Sequence, residues 1–284
     1  MATYAIGDIH GCYDSLCRLL EKINYHESTD KLWFTGDLIN RGPKSLKTLR
    51  FVKSLGDRAV TVIGNHDIHL LSLYYGVRKL RDKDSTLFKT LEAQDSDELI
   101  HWLQSLPVIH IHHKTIMVHA GIHPNWSLKT LHTLKDEIES KLRSVASKDN
   151  LASLYGDTEG SWKNARHSPQ RLRYALNCLT RMRYCETDAS PEYEYSVPPG
   201  KQPSHLTPWF EFDNKNLSGY TVIFGHWASA GYRQHNKFYA LDSGCAWGNS
   251  LTALRVEDKE VFSCLLYTSP SPRDATLSRM PSSA

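Results

Sequence analysis

The chain has 284 residues, of which 40% are hydrophobic and 23% are charged, as in an ordinary globular protein with room for one large or two small domains. Its 34 Lys and Arg residues nearly balance 31 Asp and Glu residues, which leaves a net charge of +3. This balance is too mild to indicate a nucleic-acid-binding or membrane-surface protein.

The cysteines and the N-terminal segment argue against further classes of protein. None of the six cysteines lies in a C-x-x-C motif, so zinc ribbons and thioredoxin-like sites have no support. The N-terminal segment lacks the basic and apolar stretches of a secretion signal, and no apolar run is long enough to cross a membrane. We therefore expect a cytoplasmic protein with reduced thiols, without a membrane partner.

The first part of the chain alternates short apolar runs with amphipathic stretches. Leu16, Leu19 and Leu20 have the spacing of one buried helix face. The predicted elements are a strand at 4–6, a helix at 13–23, a strand at 31–34, a helix that Pro43 opens and that runs to 55, and a strand at 59–63. This order predicts an α/β layered core.

The later part of the chain is less regular. Asp95 and Glu98 predict a capping pair for a helix at 98–106. The other predicted elements are a helix at 128–145 and strands at 115–118, 220–224, 238–241 and 251–256. Residues 150–213 have weak periodicity, which predicts a cap insertion in a domain of residues 1–264. Residues 265–284 are rich in Ser and Pro, and we expect a non-native, poorly ordered tail there.

Five short motifs share one layout, in which an apolar run leads to a small residue and then to a residue type that binds metals. They are Gly7-Asp8-Ile9-His10-Gly11, Gly36-Asp37-Leu38-Ile39-Asn40-Arg41-Gly42, Gly64-Asn65-His66-Asp67, His119-Ala120-Gly121 and Gly225-His226. Residues just past the carboxyl ends of strands line one edge of an α/β sheet. Carboxylate, amide and imidazole groups that meet at such an edge can surround two metal ions.

The order of these motifs resembles the phosphoprotein phosphatase superfamily of calcineurin-like metallophosphoesterases. The resemblance is closer to the bacterial symmetrical diadenosine tetraphosphatases, and it extends from residue 1 to about 264. Further matching tracts include Thr180-Arg181-Met182-Arg183-Tyr184-Cys185, Gly225-His226-Trp227-Ala228-Ser229 and Tyr239-Ala240-Leu241-Asp242-Ser243-Gly244-Cys245. The resemblance implies an α/β sandwich of two mixed central sheets flanked by helices, with a helical and irregular cap insertion.

The resemblance also implies a centre of two divalent metal ions, Mn²⁺ or Co²⁺. Asp8, His10 and Asp37 would hold one ion, with Asp37 bridging. Asn65, His119 and His226 would complete the second site. A hydroxide that bridges the two ions would attack phosphorus in line with the departing oxygen.

The resemblance assigns proton donation to His66 and phosphate stabilisation to Arg41, whose guanidinium suits phosphate oxygens. Protein phosphatases carry an acidic residue where this chain has Asn40. An anhydride expels a nucleotide phosphate whose conjugate acid has a pKa of about 6, so it needs less proton assistance than an alkoxide does. Asn40 therefore favours an anhydride substrate, although Asp67 is a second candidate for the carboxylate beside His66.

The polyphosphate chain is expected to bind Arg181 and Arg183. Their spacing directs them to the same side in a strand but apart in a helix. Aromatic residues of the insertion are candidates for stacking on adenine, with core packing as the alternative: Tyr155, Trp162, Tyr184 and Trp209.

The resemblance thus implies an enzyme that cleaves diadenosine tetraphosphate symmetrically into two ADP. Other dinucleoside polyphosphates and capped RNA 5′ ends are expected secondary substrates, and no stable protein partner is implied. A protein serine/threonine phosphatase on the same metal core and a non-catalytic nucleotide sensor are the alternatives.

Overall fold

The computed structural model describes residues 1–144, 147–158 and 160–265, without the side chains of Lys83 and Ser147. Its strands are β1 (Thr3–Ile6), β2 (Lys31–Phe34), β3 (Ala59–Thr61), β4 (Ile109–His112), β5 (Thr115–Val118), β6 (Tyr184–Cys185), β7 (Pro191–Glu192), β8 (Thr207–Pro208), β9 (Thr221–Phe224), β10 (Arg233–His235), β11 (Phe238–Ala240), β12 (Ser250–Arg255) and β13 (Val261–Leu265). Its helices are α1 (Tyr13–Lys22), α2 (Ser45–Ser54), α3 (Asn65–Tyr74), α4 (Phe88–Leu91), α5 (Ser96–Ser105), α6 (Leu128–Arg143), α7 (Ser147–Leu154), α8 (Trp162–Ala165) and α9 (Arg171–Arg181). Short 3-10 helices span Gly56–Arg58, Asp82–Leu87, Trp209–Glu211, Lys215–Leu217, Ala228–Ala230 and Cys245–Trp247. Nearly all of the predicted tail, residues 266–284, lies outside the described residues.

Two five-stranded mixed sheets form the centre of the fold. The first sheet has the order β13-β12-β1-β2-β3, in which β1, β2 and β3 are parallel. The second has the order β10-β11-β9-β5-β4, in which β5, β9 and β11 are parallel. The second sheet has an antiparallel strand at both edges, whereas the first has one only at its β13 edge. This architecture confirms the predicted sandwich.

Alternating residues of each strand contribute to two different cores. In β1, Ala5 joins a small apolar cluster to which both sheets contribute, whereas Tyr4 and Ile6 join the large cluster that includes the helices. Trp33 of β2 and Ile223 of β9 pack in the same small cluster as Ala5. Because successive side chains point to opposite faces of a sheet, this alternation gives each sheet one face toward its partner and one toward helices.

The carboxyl ends of the parallel strands meet where the two sheets adjoin. Asp8 follows β1 of the first sheet and accepts a hydrogen bond from the backbone N–H of His226, which follows β9 of the second (2.9 Å). Thr35 follows β2, and its carbonyl lies 2.7 Å from Nδ1 of His119, which follows β5. Five motifs that are far apart in sequence therefore meet at one place.

Two predicted helix starts were wrong for identifiable reasons. The helix assigned to Pro43 begins at Ser45, because Lys44 N–H donates to the Gly11 carbonyl and holds this segment in the loop beside the first motif. The helix predicted from Glu98 begins at Ser96; Asp95 is its N-cap residue, but the Asp95 side chain makes no capping hydrogen bond. Its carboxylate instead binds the guanidinium of Arg50 at 2.6 and 2.8 Å.

The region predicted as a cap contains helices α7 to α9 and a small sheet of order β7-β6-β8. Most of α9 is buried from Tyr174 to Thr180. The Leu179 carbonyl accepts a hydrogen bond from Ala120 N–H (2.8 Å), which fixes α9 against the loop after β5. Among the described helices, none is long and apolar enough to cross a membrane.

Candidate dimetal active site

The turns that follow the strands have a backbone conformation that side chains rarely adopt. Five non-glycine residues here have φ between 47° and 74°: His10, Asp37, Asn40, Arg41 and His226. Such left-handed residues are uncommon, and they concentrate at functional sites. Packing around them is tight, since a Cβ atom on Gly225 would lie only 1.9 Å from Oδ1 of Asp8.

Asp37 lies at the centre of the convergent side chains. Its Oδ2 is 3.6 Å from Nε2 of His10 and 3.5 Å from Nε2 of His119. Asp37 belongs to two groups of potential ligand atoms, one with His10 and His66 and one with His119 and His226. Asp8 approaches the first group, with Oδ2 at 4.0 Å from Nε2 of His10. One carboxylate thus joins both halves of the site.

The hydrogen bonds of the three histidines fix which ring nitrogen faces Asp37. Each ring has one nitrogen beside a backbone carbonyl: His10 Nδ1 beside Ile39 (3.1 Å), His119 Nδ1 beside Thr35 (2.7 Å) and His226 Nε2 beside Arg181 (2.9 Å). Because a carbonyl only accepts, that nitrogen carries the proton of the neutral ring. The other nitrogen presents its lone pair to the site, as in histidines that bind metals.

Asn65 adds an oxygen to this arrangement. Its Oδ1 lies 3.0 Å from Nε2 of His119, 2.9 Å from Nδ1 of His226 and 3.3 Å from Oδ2 of Asp37. With the amide in this orientation, all four atoms direct lone pairs toward one another. A divalent cation stabilises such a set of mixed oxygen and nitrogen donors.

Buried acidic side chains surround the same place. Burial, reinforced by the charge of Asp242, raises the pKa of Asp8 well above its usual range. Burial also raises the pKa of Asp242 itself. Buried carboxylates in such proximity repel one another, and bound cations relieve that repulsion. The residues present therefore fit a pair of divalent ions.

His66 lies beside His10 and Asp37, but a side chain and not a backbone carbonyl determines which of its ring nitrogens carries the proton. Oδ1 of Asn40 accepts hydrogen bonds from Arg41 N–H (2.8 Å) and the Thr86 hydroxyl (3.0 Å), so the Asn40 amide directs its NH₂ toward Nδ1 of His66 at 2.9 Å. An amide NH₂ only donates, which leaves the proton of the neutral ring on Nε2. Burial lowers the pKa of His66 to about 3. The neutral ring therefore has an Nε2–H that is able to donate a hydrogen bond.

Asp67 does not pair with His66, contrary to one sequence-based alternative. Its two carboxylate oxygens accept hydrogen bonds from the backbone N–H groups of Asp37, Leu38 and Gly64 at 2.9 to 3.2 Å. Burial and the charge of Asp37 raise the pKa of Asp67 to about 7. The carboxyl group therefore fixes the turns that carry Asp37 and Asn65, and it does not face the place where a substrate would bind.

Two clefts of similar volume adjoin the candidate ligands. The first, of about 490 Å³, is lined by Asn40, Arg41, Asn65, His66, Ile68, His69, Arg78, Arg81, Asp84, Leu154, Tyr155, Gly156, Asp157, Leu176, Asn177, Thr180 and Arg181. The second, of about 410 Å³, is lined by His10, Asp37, Arg41, Asn65, His66, Arg183, Ser196, His226, Trp227, Ala228, Ser229, Asp242, Trp247 and Asn249. Arg41, Asn65 and His66 line both, so the candidate metal site lies where the clefts join.

Arg181 and Arg183 are close to the site, but their side chains line different clefts and do not form a single phosphate-binding site. Arg181 ends α9, lines the first cleft and binds Asp157 (2.8 Å). Arg183 lines the second cleft and donates to the His226 carbonyl (3.2 Å). The helix ends between them, and the two guanidinium groups therefore serve opposite sides of the ligand group.

Of the aromatic residues proposed for adenine stacking, only Tyr155 lines a cleft. Tyr184 and Trp209 are buried in the core, and Trp162 packs among other aromatic rings. The sequence-based search missed Trp247, which lines the second cleft and is 61% exposed. The detectable signal was a tryptophan next to glycine, outside any apolar periodicity and in the segment between two predicted strands.

Comparisons with known proteins agree with this geometry. A family model described as calcineurin-like phosphoesterase matches residues 1–229. Proteins named symmetrical bis(5′-nucleosyl)-tetraphosphatase include one from Glaesserella parasuis that is 45% identical and covers 92% of this chain and 97% of its own length. One from Marinomonas is 46% identical (93% and 96%), and one from Klebsiella pneumoniae is 44% identical (98% and 97%).

Solved structures extend the similarity to three dimensions. The crystal structure of a candidate diadenosine tetraphosphatase has a TM-score of 0.63 and 25% identity, with 94% of each chain covered. A cold-active protein tyrosine phosphatase shares the fold with a TM-score of 0.61 at 19% identity, covering 93% of this chain and 76% of its own. The chain therefore belongs to the calcineurin-like phosphoesterase family, together with the proteins named symmetrical bis(5′-nucleosyl)-tetraphosphatases.

Proposed function

We propose that this protein hydrolyses diadenosine tetraphosphate symmetrically, with one water consumed and two ADP released. The observation that carries the proposal is the ligand group around Asp37 at the junction of two clefts of similar volume. A dinucleotide that is cut at its central anhydride needs room for one nucleotide on each side of the metal site. Relatives that are named for this activity and are 44–46% identical over nearly their whole length give independent support.

The metal ions are assigned to the six predicted ligands. Asp8, His10 and Asp37 would hold one ion, Asn65, His119 and His226 would complete the other, and Asp37 would bridge them. We propose Mn²⁺ or Co²⁺, which accept mixed oxygen and nitrogen ligands. Two such ions would supply a nucleophile near neutral pH by lowering the pKa of water, and they would offset negative charge on the phosphate oxygens.

The side chains around the ligands would bind and orient the phosphates. Arg41 lines both clefts, which suits it to the central phosphates, because its planar guanidinium can donate two hydrogen bonds to phosphate oxygens. Arg181 and Arg183 would bind the outer parts of the chain, one in each cleft. Neutral His66 would donate a hydrogen bond from its Nε2–H to the departing phosphate oxygen and keep its proton, because the nucleotide phosphate can leave as an anion.

Asn40 adapts this donor to an anhydride. It stabilises neutral His66, because its NH₂ group would face a second N–H if the ring became an imidazolium. A departing nucleotide phosphate has a conjugate-acid pKa of about 6 and needs little protonation. A departing alkoxide needs much more, so the Asn40–His66 pair does not favour a protein serine/threonine phosphatase.

Product analysis tests the proposal directly. Purified protein with Mn²⁺ should convert diadenosine tetraphosphate to ADP alone, measured by anion-exchange chromatography. ATP together with AMP would refute symmetrical cleavage. A phosphopeptide assayed in parallel should be a far poorer substrate, and a preference for the phosphopeptide would refute the anhydride assignment. Absence of metal-dependent turnover would indicate a nucleotide sensor.

Other substrates follow from the same chemistry. We propose other dinucleoside polyphosphates and nucleoside-polyphosphate-capped RNA 5′ ends as secondary substrates, because each presents an anhydride that joins two nucleoside-bearing halves. Release of a 5′-diphosphate end from a tetraphosphate-capped oligonucleotide would test this.

We also propose a cytoplasmic location, which subcellular fractionation would test.

A further inference from the structure

Trp247 is the most exposed aromatic residue in the described part of the chain, with 61% of its surface accessible. Trp126 and Trp227, by contrast, are at most 1% exposed. An indole contributes considerable hydrophobic free energy when it is buried, so an exposed indole in a cleft indicates a surface that a ligand covers.

The surroundings of Trp247 indicate the chemistry of that ligand. Trp247 lines the second cleft together with Asp37 and His226. The guanidinium carbon of Arg41 lies 5.5 Å from the centroid of the Trp247 ring. An anion-binding side chain is therefore adjacent to an open aromatic face, and this combination matches the phosphate and the base of a nucleotide.

The loop that carries Trp247 is fixed to the metal-ligand edge. Oδ1 of Asp242 accepts a hydrogen bond from Gly244 N–H (3.0 Å), and the Gly244 carbonyl accepts one from Trp247 N–H (2.9 Å). Gly244 and Gly248 have φ of 72° and 89°, which glycine adopts without strain. Cys245 anchors the turn because it is 99% buried. Hydrogen bonds from Trp247 N–H to the Gly244 carbonyl and from Gly244 N–H to the Asp242 carboxylate thus fix the backbone that carries the indole.

We propose that Trp247 stacks on one base of the dinucleotide while Arg41 binds the adjoining phosphates. This assignment rests on the proposed function and specifies how the second cleft recognises its half of the substrate. Stacking uses the π face that every base has, so the cleft would accept different nucleobases, with purines bound more tightly because of their larger face.

Fluorescence quenching tests the contact without catalysis. The acrylamide quenching of Trp247 is obtained as the difference between wild type and Trp247→Phe, in Mg²⁺ with ADP or inorganic pyrophosphate at concentrations that calorimetry shows to be saturating. ADP should protect the indole, whereas pyrophosphate, which has no base, should not. Equal protection by the two ligands, or none by ADP, would overturn the assignment. Trp102→Phe is the matched control, since Trp102 of α5 is partly exposed and lines neither cleft.

Steady-state kinetics supply the second test. Trp247→Ala should raise KM for diadenosine tetraphosphate by about 5- to 150-fold, as expected for the loss of one stacked base, with a smaller change in kcat. Trp247→Phe should keep part of the affinity, and Trp102→Phe should match wild type. An unchanged KM in Trp247→Ala would overturn the stacking assignment alone. Failure of the wild type to release two ADP would instead overturn the proposed function.

Discussion

At the scale of single residues, the proton on His66 depends on the direction of one hydrogen bond from Asn40. We predict that Asn40→Asp reverses this bond, because a carboxylate oxygen would accept from Nδ1–H and stabilise the imidazolium. Hydrolysis of a phosphomonoester with an alkoxide leaving group should then increase by about tenfold or more, since general acid catalysis contributes 10²–10⁴-fold. The expected change for diadenosine tetraphosphate is small. Both rates are measured in parallel.

The pH dependence of Asn40→Asp gives a further check. Its phosphomonoesterase activity needs protonated His66, so this activity should be present below the raised pKa of His66 and be lost as the pH rises through it. Asn40→Ala is the control, because it removes the hydrogen bond without adding a charge and should produce no gain. An equal gain in both variants would contradict the assigned role of the carboxylate.

The metal-ligand types could be predicted because each one lies in the turn just past a strand, and the carboxyl ends of parallel strands meet at one edge of a sheet. The clefts that the cap residues line could not be predicted. Arg181 and Arg183 face different clefts because α9 ends between them, and weak periodicity gave no indication of that helix end. Trp247 was missed for a related reason: its exposure depends on how the turn folds back from Asp242, which a single sequence does not encode locally.

At the scale of secondary-structure elements, the turn after each strand sets the ligand geometry. We predict that Gly225→Ala disrupts the site, because the added Cβ would lie 1.9 Å from Oδ1 of Asp8 and 2.6 Å from Oγ1 of Thr35. Displacement of Asp8 by about an ångström should lower kcat/KM by about 100-fold or more and weaken metal binding. Kinetics and a metal titration measure both effects.

Gly219→Ala provides the matched control for Gly225→Ala. Gly219 precedes the same strand, β9, and a Cβ atom there would meet no atom within 4 Å. The control should keep wild-type activity and metal affinity. If Gly225→Ala behaved like Gly219→Ala, the turn would not be what positions Asp8.

Element positions were predicted more accurately than the residues that begin them. The alternation of Tyr4, Ala5 and Ile6 between two cores makes β1 a short run that is buried on both faces, and such a run is visible in the sequence. Asp95 occupies the N-cap position of α5, but its side chain makes no capping bond and instead binds Arg50, which lies 45 residues away. A long-range ion pair of this kind outcompetes a local capping signal, and local pattern gives no warning of it.

At the scale of the whole molecule, the candidate ligands come from both sheets. Asp8, His10, Asp37 and Asn65 follow strands of the first sheet, whereas His119 and His226 follow strands of the second. Metal ions held by both sets would link the sheets across their shared edge. Metal occupancy is therefore expected to stabilise the entire fold, because ions that bind only the native state shift the unfolding equilibrium.

We predict that chelation lowers the melting temperature of the protein. One site at 100 times its Kd contributes about 2.7 kcal/mol, which for a domain of this size corresponds to about 5 °C, and a second site adds to it. Differential scanning fluorimetry with and without EDTA measures the shift.

Asp37→Asn should lose most of this metal-dependent increase in melting temperature, and it should also lose turnover, because Asp37 contacts both ligand groups. His66→Ala should slow turnover yet keep the increase, since the proton on Nε2 and the bond from Asn40 leave neither ring nitrogen free to bind a metal. Loss of the increase in His66→Ala would place that histidine among the ligands and would contradict its role as donor.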